Sequence, residues 1–232
     1  MSWIEDYSAL REDIHTGYIY EAIEAILYMR AHEEIPAEEQ WRFSEMMGMC
    51  CRALADTEGA IAAYFEAATE DKSLRLQREH FSRYLYLCHA AAQLTPKELQ
   101  PQFAMCASLY QREEPLPPRA PVHHTRLRIG FLAPQFDHTA VYGALATHLT
   151  ERYDVYAYAL TDRTNAPTSW EAAGVHTAAL AQGTPQEQAE RIRADEIDIL
   201  IDLGGHRDGG ATLPVLALRP APVQLAGLDA AS

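Results

Sequence analysis

The sequence predicts an all-helical domain followed by an α/β domain. Three observations predict it. Residues 2–112 carry helical patterning throughout, with capping signals at the head of several segments. From Arg126 onward, short apolar runs alternate with amphipathic segments, the order that builds a mainly parallel sheet with helices on both faces. Between them, Glu113–Thr125 (EEPLPPRAPVHHT) holds four prolines, which stop a helix and keep the chain extended. The expected division is therefore 1–112 helical, 113–125 linker and 126–232 α/β.

In the first part, Ser2-Trp3-Ile4-Glu5 fits a capping box that opens a first helix, and a second runs from Tyr18 to Ala31. Pro36 suits the first position of a third, to Ala55. Asp56-Thr57 starts a fourth, to Glu70, and a fifth covers Ser73–Ala92. Thr95-Pro96-Lys97-Glu98 joins a capping box to a well-placed proline and opens a sixth. Gly48, Ala60, Tyr64 and Ala67 stand where a tetratricopeptide repeat of roughly 34 residues wants a small residue, Ala, an aromatic and Ala, and Ala22 marks an earlier, degenerate copy. Too few copies are visible for a long solenoid, and a plain helical bundle satisfies the same periodicity.

In the second part, Arg126–Ala133 (RLRIGFLA) reads as a strand and Thr139–Arg152 as a helix with Val141, Leu145 and Leu149 on one stripe. Asp154–Leu160 alternates and reads as a second strand, Thr161–Ser169 as a loop. Thr184-Pro185-Gln186-Glu187 caps a helix to Asp195. Ile197–Leu203 is an apolar strand, broken only by Asp198 and Asp202, that leads into Gly204–Gly210, a loop with four glycines. An apolar segment, Leu213–Leu218, and a further strand, Val223–Leu228, follow. Four clear strands are fewer than a complete doubly wound sheet carries.

Composition narrows the function. The chain has 232 residues and a net charge of −14, which argues against a nucleic-acid surface, since phosphate contacts need clustered Lys and Arg. No apolar run approaches the roughly 18 residues of a membrane span. The opening MSWIEDYSAL lacks a basic region followed by an apolar core, so no secretory signal is expected. Cys50, Cys51, Cys88 and Cys106 have neither metal nor disulfide-framework spacing and read as reduced core residues of a cytoplasmic protein. His123 and His124 lack a third ligand at useful spacing and read as solvated linker histidines.

DILIDLGGH, Asp198–His206, followed by LPVLALRPAPVQ, Leu213–Gln224, strongly resembles the catalytic region of the O-GlcNAc transferase family, the TPR-linked protein glycosyltransferases. Ala217–Gln224, ALRPAPVQ, is its most specific part. The resemblance covers Arg126 to about Gly227, and residues 73–125 look like the helical lead-in of bacterial members. It implies a TPR-like helical domain followed by a Rossmann-like parallel-sheet domain, the N-terminal half of a GT-B catalytic region. The activity implied is inverting transfer of a sugar from a UDP-sugar donor to Ser or Thr of a protein acceptor, with no metal and no other cofactor. A second Rossmann-like half supplies most donor contacts in the family. On that pattern the chain reads as an acceptor-side portion, completed by a C-terminal catalytic half or a partner subunit. The alternative is a non-catalytic scaffold or pseudo-enzyme subunit that stabilises a partner. An unrelated dinucleotide-binding protein is disfavoured, because no G-x-G-x-x-G follows the first strand.

Ligands of open α/β sheets sit outside the carboxyl ends of the strands, so candidates are sought there. The loop after the first strand matches the family's Asp-Phe-x-x-His-x-Val imperfectly. Aligned on Phe136 and Val141, the family histidine falls on Thr139, His138 stands one place early, and the family aspartate is Gln135. His138 is thus a catalytic candidate with Thr139 beside it, or a loop cap. Asp162 and Thr164 follow the second strand, where the family has an Asp-rich turn; they equally suit ordinary turn chemistry. His176 resembles a family histidine upstream of DILIDL, or is a half-buried structural histidine. Gly204, Gly205, His206 and Arg207 correspond to the family's Ser-Gly-His-Thr turn. There glycines permit close backbone approach, backbone amides at the start of the following helix can hold an anion, and Arg207 can pair a phosphate or carboxylate. A tight turn with no ligand is the competing reading, and Arg219, Pro220 and Pro222 read as structural.

Overall fold

A computed structural model of the chain describes residues 3–32, 35–91, 94–111, 113–120, 122–136, 140–162 and 166–227. It forms two compact units, Met1–Leu109 and Tyr110–Ser232.

The first unit is helical: α1 (Trp3–Thr16), α2 (Ile19–His32), α3 (Gln40–Ala53), α4 (Thr57–Glu70), α5 (Leu74–Ala90) and α6 (Pro96–Ser108). The caps are chemical. Asp56 accepts the Gly59 amide at 2.9 Å at the head of α4. Thr95 and Glu98 form the reciprocal box of α6. At α3 the expectation shifts: Pro36 is extended, a 3₁₀ turn over Ala37–Glu39 intervenes, and the α-helix starts at Gln40. The Ser2 box lies outside the described residues.

Short connections make sequential helices neighbours. Tyr7, Leu10, Ala22, Ile26, Phe43 and Met46 bury one core between α1, α2 and α3. The α3–α4 pair shows what the repeat-like spacing predicts. Gly48 is buried, and a Cβ there would lie 3.0 Å from the Tyr64 ring, while Ala60, Tyr64 and Ala67 are almost fully buried. The missing side chain lets the two helices approach. Gly48→Val is expected to cost about 1–3 kcal/mol in chemical denaturation, because the β-branched side chain must displace that ring.

One polar pair is sealed inside this unit. His80 is 0% exposed and lies 3.8 Å from the Asp71 carboxylate, with its ring against Trp41. Neither imidazole nitrogen has a hydrogen-bond partner among the described residues. Burial holds its pKa below the ordinary 6.5. The unfolded chain therefore binds a proton that the folded chain refuses, and stability that is full above 6.5 falls as pH drops below that value. Urea midpoints measured from pH 7 to about 5 should decline, with a limiting slope near 1.4 kcal/mol per pH unit, and the decline should flatten in His80→Gln.

The second unit is a five-stranded sheet: β1 (Arg128–Ala133), β2 (Asp154–Ala159), β3 (His176–Ala179), β4 (Ile199–Asp202) and β5 (Val223–Ala226). Its order is β3-β2-β1-β4-β5 and every pairing is parallel. Helices α7 (Ala140–Leu149), α8 (Thr168–Ala172), α9 (Pro185–Ala194) and α10 (Leu213–Ala217) alternate with the strands along the chain. Two apolar clusters flank the sheet. Phe131, Ala133, Val155, Ala157, Tyr142, Ala146 and Trp170 form one; Leu132, Leu200, Ala189, Ile192, Val215 and Leu218 form the other. Alternation along β1 divides its side chains between them. This is the predicted class, a helical domain followed by a Rossmann-like parallel-sheet domain.

Three expectations are corrected. The strand β3 and the helix α8 escape the sequence pattern, because a four-residue edge strand and a five-residue helix are too short to show a period. In α7 the face toward the core carries Tyr142 and Ala146, with Leu149 partly buried, whereas Leu145 is 43% exposed. His124 is not solvated: its ring sits 2.9 Å from Asp198 and 3.1 Å from Glu196, at the amino edge of β4. Arg128 donates to both carboxylates, through its amide to Asp198 and its guanidinium to Glu196. The described residues of the proline-rich stretch form neither helix nor strand and belong to the second unit, with the Leu116 amide bound to the Leu218 carbonyl at 2.8 Å.

Candidate functional site

The sheet order places the topological switch between β1 and β4. Sheet neighbours accumulate on opposite sides of that junction, so the loops leaving β1 and β4 diverge and open a crevice at the carboxyl edge. Register brings the two ends together, Leu132 beside Asp202, and the Leu203 amide donates to the Leu132 carbonyl at 2.8 Å.

On the β1 side the chain leaves through Pro134, Gln135 and Phe136. Phe136 is 1% exposed and meets Trp170 edge-on at 5.1 Å; the Trp170 indole N–H donates to the Gly143 carbonyl at 3.2 Å. This pair ties the loop to α8 and α7. His138 and Thr139 come next and lie outside the described residues, as does Thr164. Asp162 is exposed, three residues beyond the carboxyl end of β2 and so on the same edge.

On the β4 side the organising residue is Asp202, which the sequence reading passed over. It is 3% exposed, and its two carboxylate oxygens accept the Gly204 and Gly205 amides, each at 2.9 Å. Those two amides are therefore committed within the loop to an internal carboxylate cap. The signal was present in the sequence: an Asp closing a strand before Gly-Gly is the pattern of a side chain that bonds its own turn. Burial raises the Asp202 pKa above its ordinary 3.8, and the Gly204 amide is the foremost opposing influence. Gly204 has no room for a side chain, since a Cβ would sit 2.7 Å from the Thr212 hydroxyl. Gly205, Asp208, Gly209 and Gly210 all take positive φ, which kinks the short turn over Arg207–Gly210 with left-handed residues.

His206 is thereby drawn in to 5% exposure at the head of that turn. Arg207 folds back on its own loop, donating to the Leu203 carbonyl at 3.2 Å and approaching the Asp208 carboxylate at 3.7 Å. His176, by contrast, begins β3 at its amino end, exposed and tilted against Tyr156 at 4.8 Å. It lies three residues before the edge where Asp162 and the Gly204–Arg207 loop gather, so the structure does not bring it to them. Among the described residues, no group of three or more His, Cys, Asp or Glu is placed to hold a metal.

Comparisons with known proteins fall on this same sheet. Residues 106–231 match the profile of Glycosyl transferase family 41. No curated protein sequence matches. Among solved structures, a mutant of Thermobaculum terrenum O-GlcNAc transferase aligns with a TM-score of 0.72 and 25% identity, over 94% of this chain and 42% of that one. The chain thus spans less than half the length of that relative. Haemophilus influenzae LpoA aligns at 10% identity with a TM-score of 0.36, over 94% of this chain and 45% of that one, a likeness too weak to indicate a common fold. The profile match extends over more than half of the chain and takes in all five strands and the Asp202–Gly210 loop: the chain belongs to glycosyl transferase family 41.

Proposed function

We propose that the chain is the acceptor-side portion of a protein glycosyltransferase resembling O-GlcNAc transferase. It works with a second Rossmann-like half that binds most of a UDP-sugar, and transfers the sugar to a Ser or Thr hydroxyl of a protein. The observation that carries the reading is the loop after β4: within a family-matched, Rossmann-like sheet, an aspartate-capped turn holds the nearly buried His206 beside the switch-point edge. Transfer to a hydroxyl needs a group that orients the acceptor oxygen and takes its proton. His206 and Asp162 stand at that edge, and His138 remains a candidate from the family resemblance. Positive charge for the departing diphosphate and exclusion of water come from the second half on this reading. The helical unit, with its repeat-like α3–α4 pair, receives the acceptor protein. No metal takes part, and the reaction takes place in the cytoplasm.

Radiolabelled UDP-GlcNAc supplied to the chain together with a second Rossmann-like half should label protein acceptors. His206→Asn should lower the transfer at least tenfold while circular dichroism stays unchanged. Absence of transfer with every UDP-sugar tried would overturn the enzymatic reading in favour of a scaffold.

A further inference from the structure

A second cavity opens at the opposite, amino edge of the sheet. It has a volume of about 410 Å³ and is walled by Pro115, Pro117, Pro118, Pro220 and Pro222, with Arg119, Arg193 and Arg219 on its lining. That volume falls within the range of small-ligand pockets, at the low end. Prolines have few conformations to lose, so these walls are preformed and order nothing further on binding.

The charge is unusual for this chain. Against a net charge of −14, three arginines and, among the described residues, no acidic residue line one recess. Arg119 is partly offset by Asp198 at 3.6 Å, yet its Nη1 is buried without a hydrogen-bond partner among the described residues. No ion pair involves Arg193 or Arg219 among the described residues. The pocket therefore holds an excess of about two positive charges, which matches a dianion, and guanidinium groups suit phosphate oxygens in forked geometry.

Arg219 adds a separate observation. Its φ is +53°, the left-handed region that glycine enters freely and other residues enter at a cost of roughly 1–2 kcal/mol. The side chain is held at a strained position on the pocket wall. Arg219 directly follows the cap of α10 and its amide donates to the Leu216 carbonyl at 3.0 Å, so the turn that ends this helix sets the arginine on the recess lining.

We propose that this recess binds the phosphate monoester group of a small organic anion, with the ligand's apolar body against the prolines. The site is distinct from the carboxyl-edge crevice and independent of the glycosyl-transfer reading. Calorimetry with phenyl phosphate on the 232-residue chain tests it. The wild type should bind, and Arg193→Gln combined with Arg219→Gly should weaken binding at least tenfold. Arg219→Gly alone should raise the melting temperature by relieving the strain, which separates loss of binding from loss of fold. In amide spectra phenyl phosphate should shift Leu116 and Ala221 and leave Gly204 and Gly205 in place. No binding by the wild type, unchanged affinity in the double variant, or shifts confined to the Gly204–Gly210 loop would each overturn the proposal.

Discussion

Replacing Trp170 with alanine is expected to destabilise the sheet unit by about 3–5 kcal/mol, the range for deleting a large aromatic from a core. Trp170 is 0% exposed, packs edge-on to Phe136, and satisfies the Gly143 carbonyl through its indole N–H. Deletion opens a cavity between α8 and the sheet and removes one of that carbonyl's donors, leaving the Thr147 hydroxyl at 2.6 Å. The Phe136 anchor also loses its wall, so the β1 loop loosens at the same time. Urea denaturation measures the first effect, and hydrogen exchange at the Phe136 amide measures the second. Trp170→Phe keeps most of the volume and loses the hydrogen bond, so it should cost roughly 0.5–3 kcal/mol, less than alanine. A midpoint unchanged by alanine would refute the packing described for this cluster.

Asp202→Ala is expected to cost about 2–5 kcal/mol, because the buried Gly204 and Gly205 amides are both left without an acceptor. The readout is again the urea midpoint, together with faster exchange at those two amides. A loss smaller than about 1 kcal/mol, with exchange unchanged, would mean that water replaces the carboxylate without penalty. Titration supplies a second check. Burial raises the Asp202 pKa in the folded chain, so the folded state holds this proton more tightly than the unfolded state does. The contribution of Asp202 is fully favourable below 3.8, the ordinary aspartate value, and is lost as pH rises through the raised folded value. Asp202→Asn cannot titrate, so the difference between wild-type and Asp202→Asn stability should change with pH just above 3.8 and level off at higher pH.

Local chemistry determined much of this protein from the sequence by itself. The boxes at Thr95 and Thr184 formed as read, since capping is settled within four residues. The strand Ile197–Leu203 was legible, trimmed to Ile199–Asp202, because a short Ile- and Leu-rich run suits a strand covered on both faces. DILIDLGGH and ALRPAPVQ pointed to the family, and the profile match bears that out. Gly48 and Tyr64 met because their spacing encodes a helix–helix approach.

The tertiary structure decided everything that depends on which strand lies beside which. Only the order β3-β2-β1-β4-β5 places the switch point between β1 and β4, gathering Asp162 and the Gly204–Arg207 loop at one edge and leaving His176 away from it. Resemblance along the chain assigned all of these residues to one site because it contains no strand direction. His124 read as solvated for the same reason: its carboxylate partners, Asp198 and Glu196, lie more than 70 positions away and arrive only when β4 pairs with β1. Even the committed amides of Gly204 and Gly205 are a tertiary result. An aspartate can cap its own turn or face solvent, and what selects the cap here is the sheet, which buries Asp202 and makes an unpaired carboxylate costly.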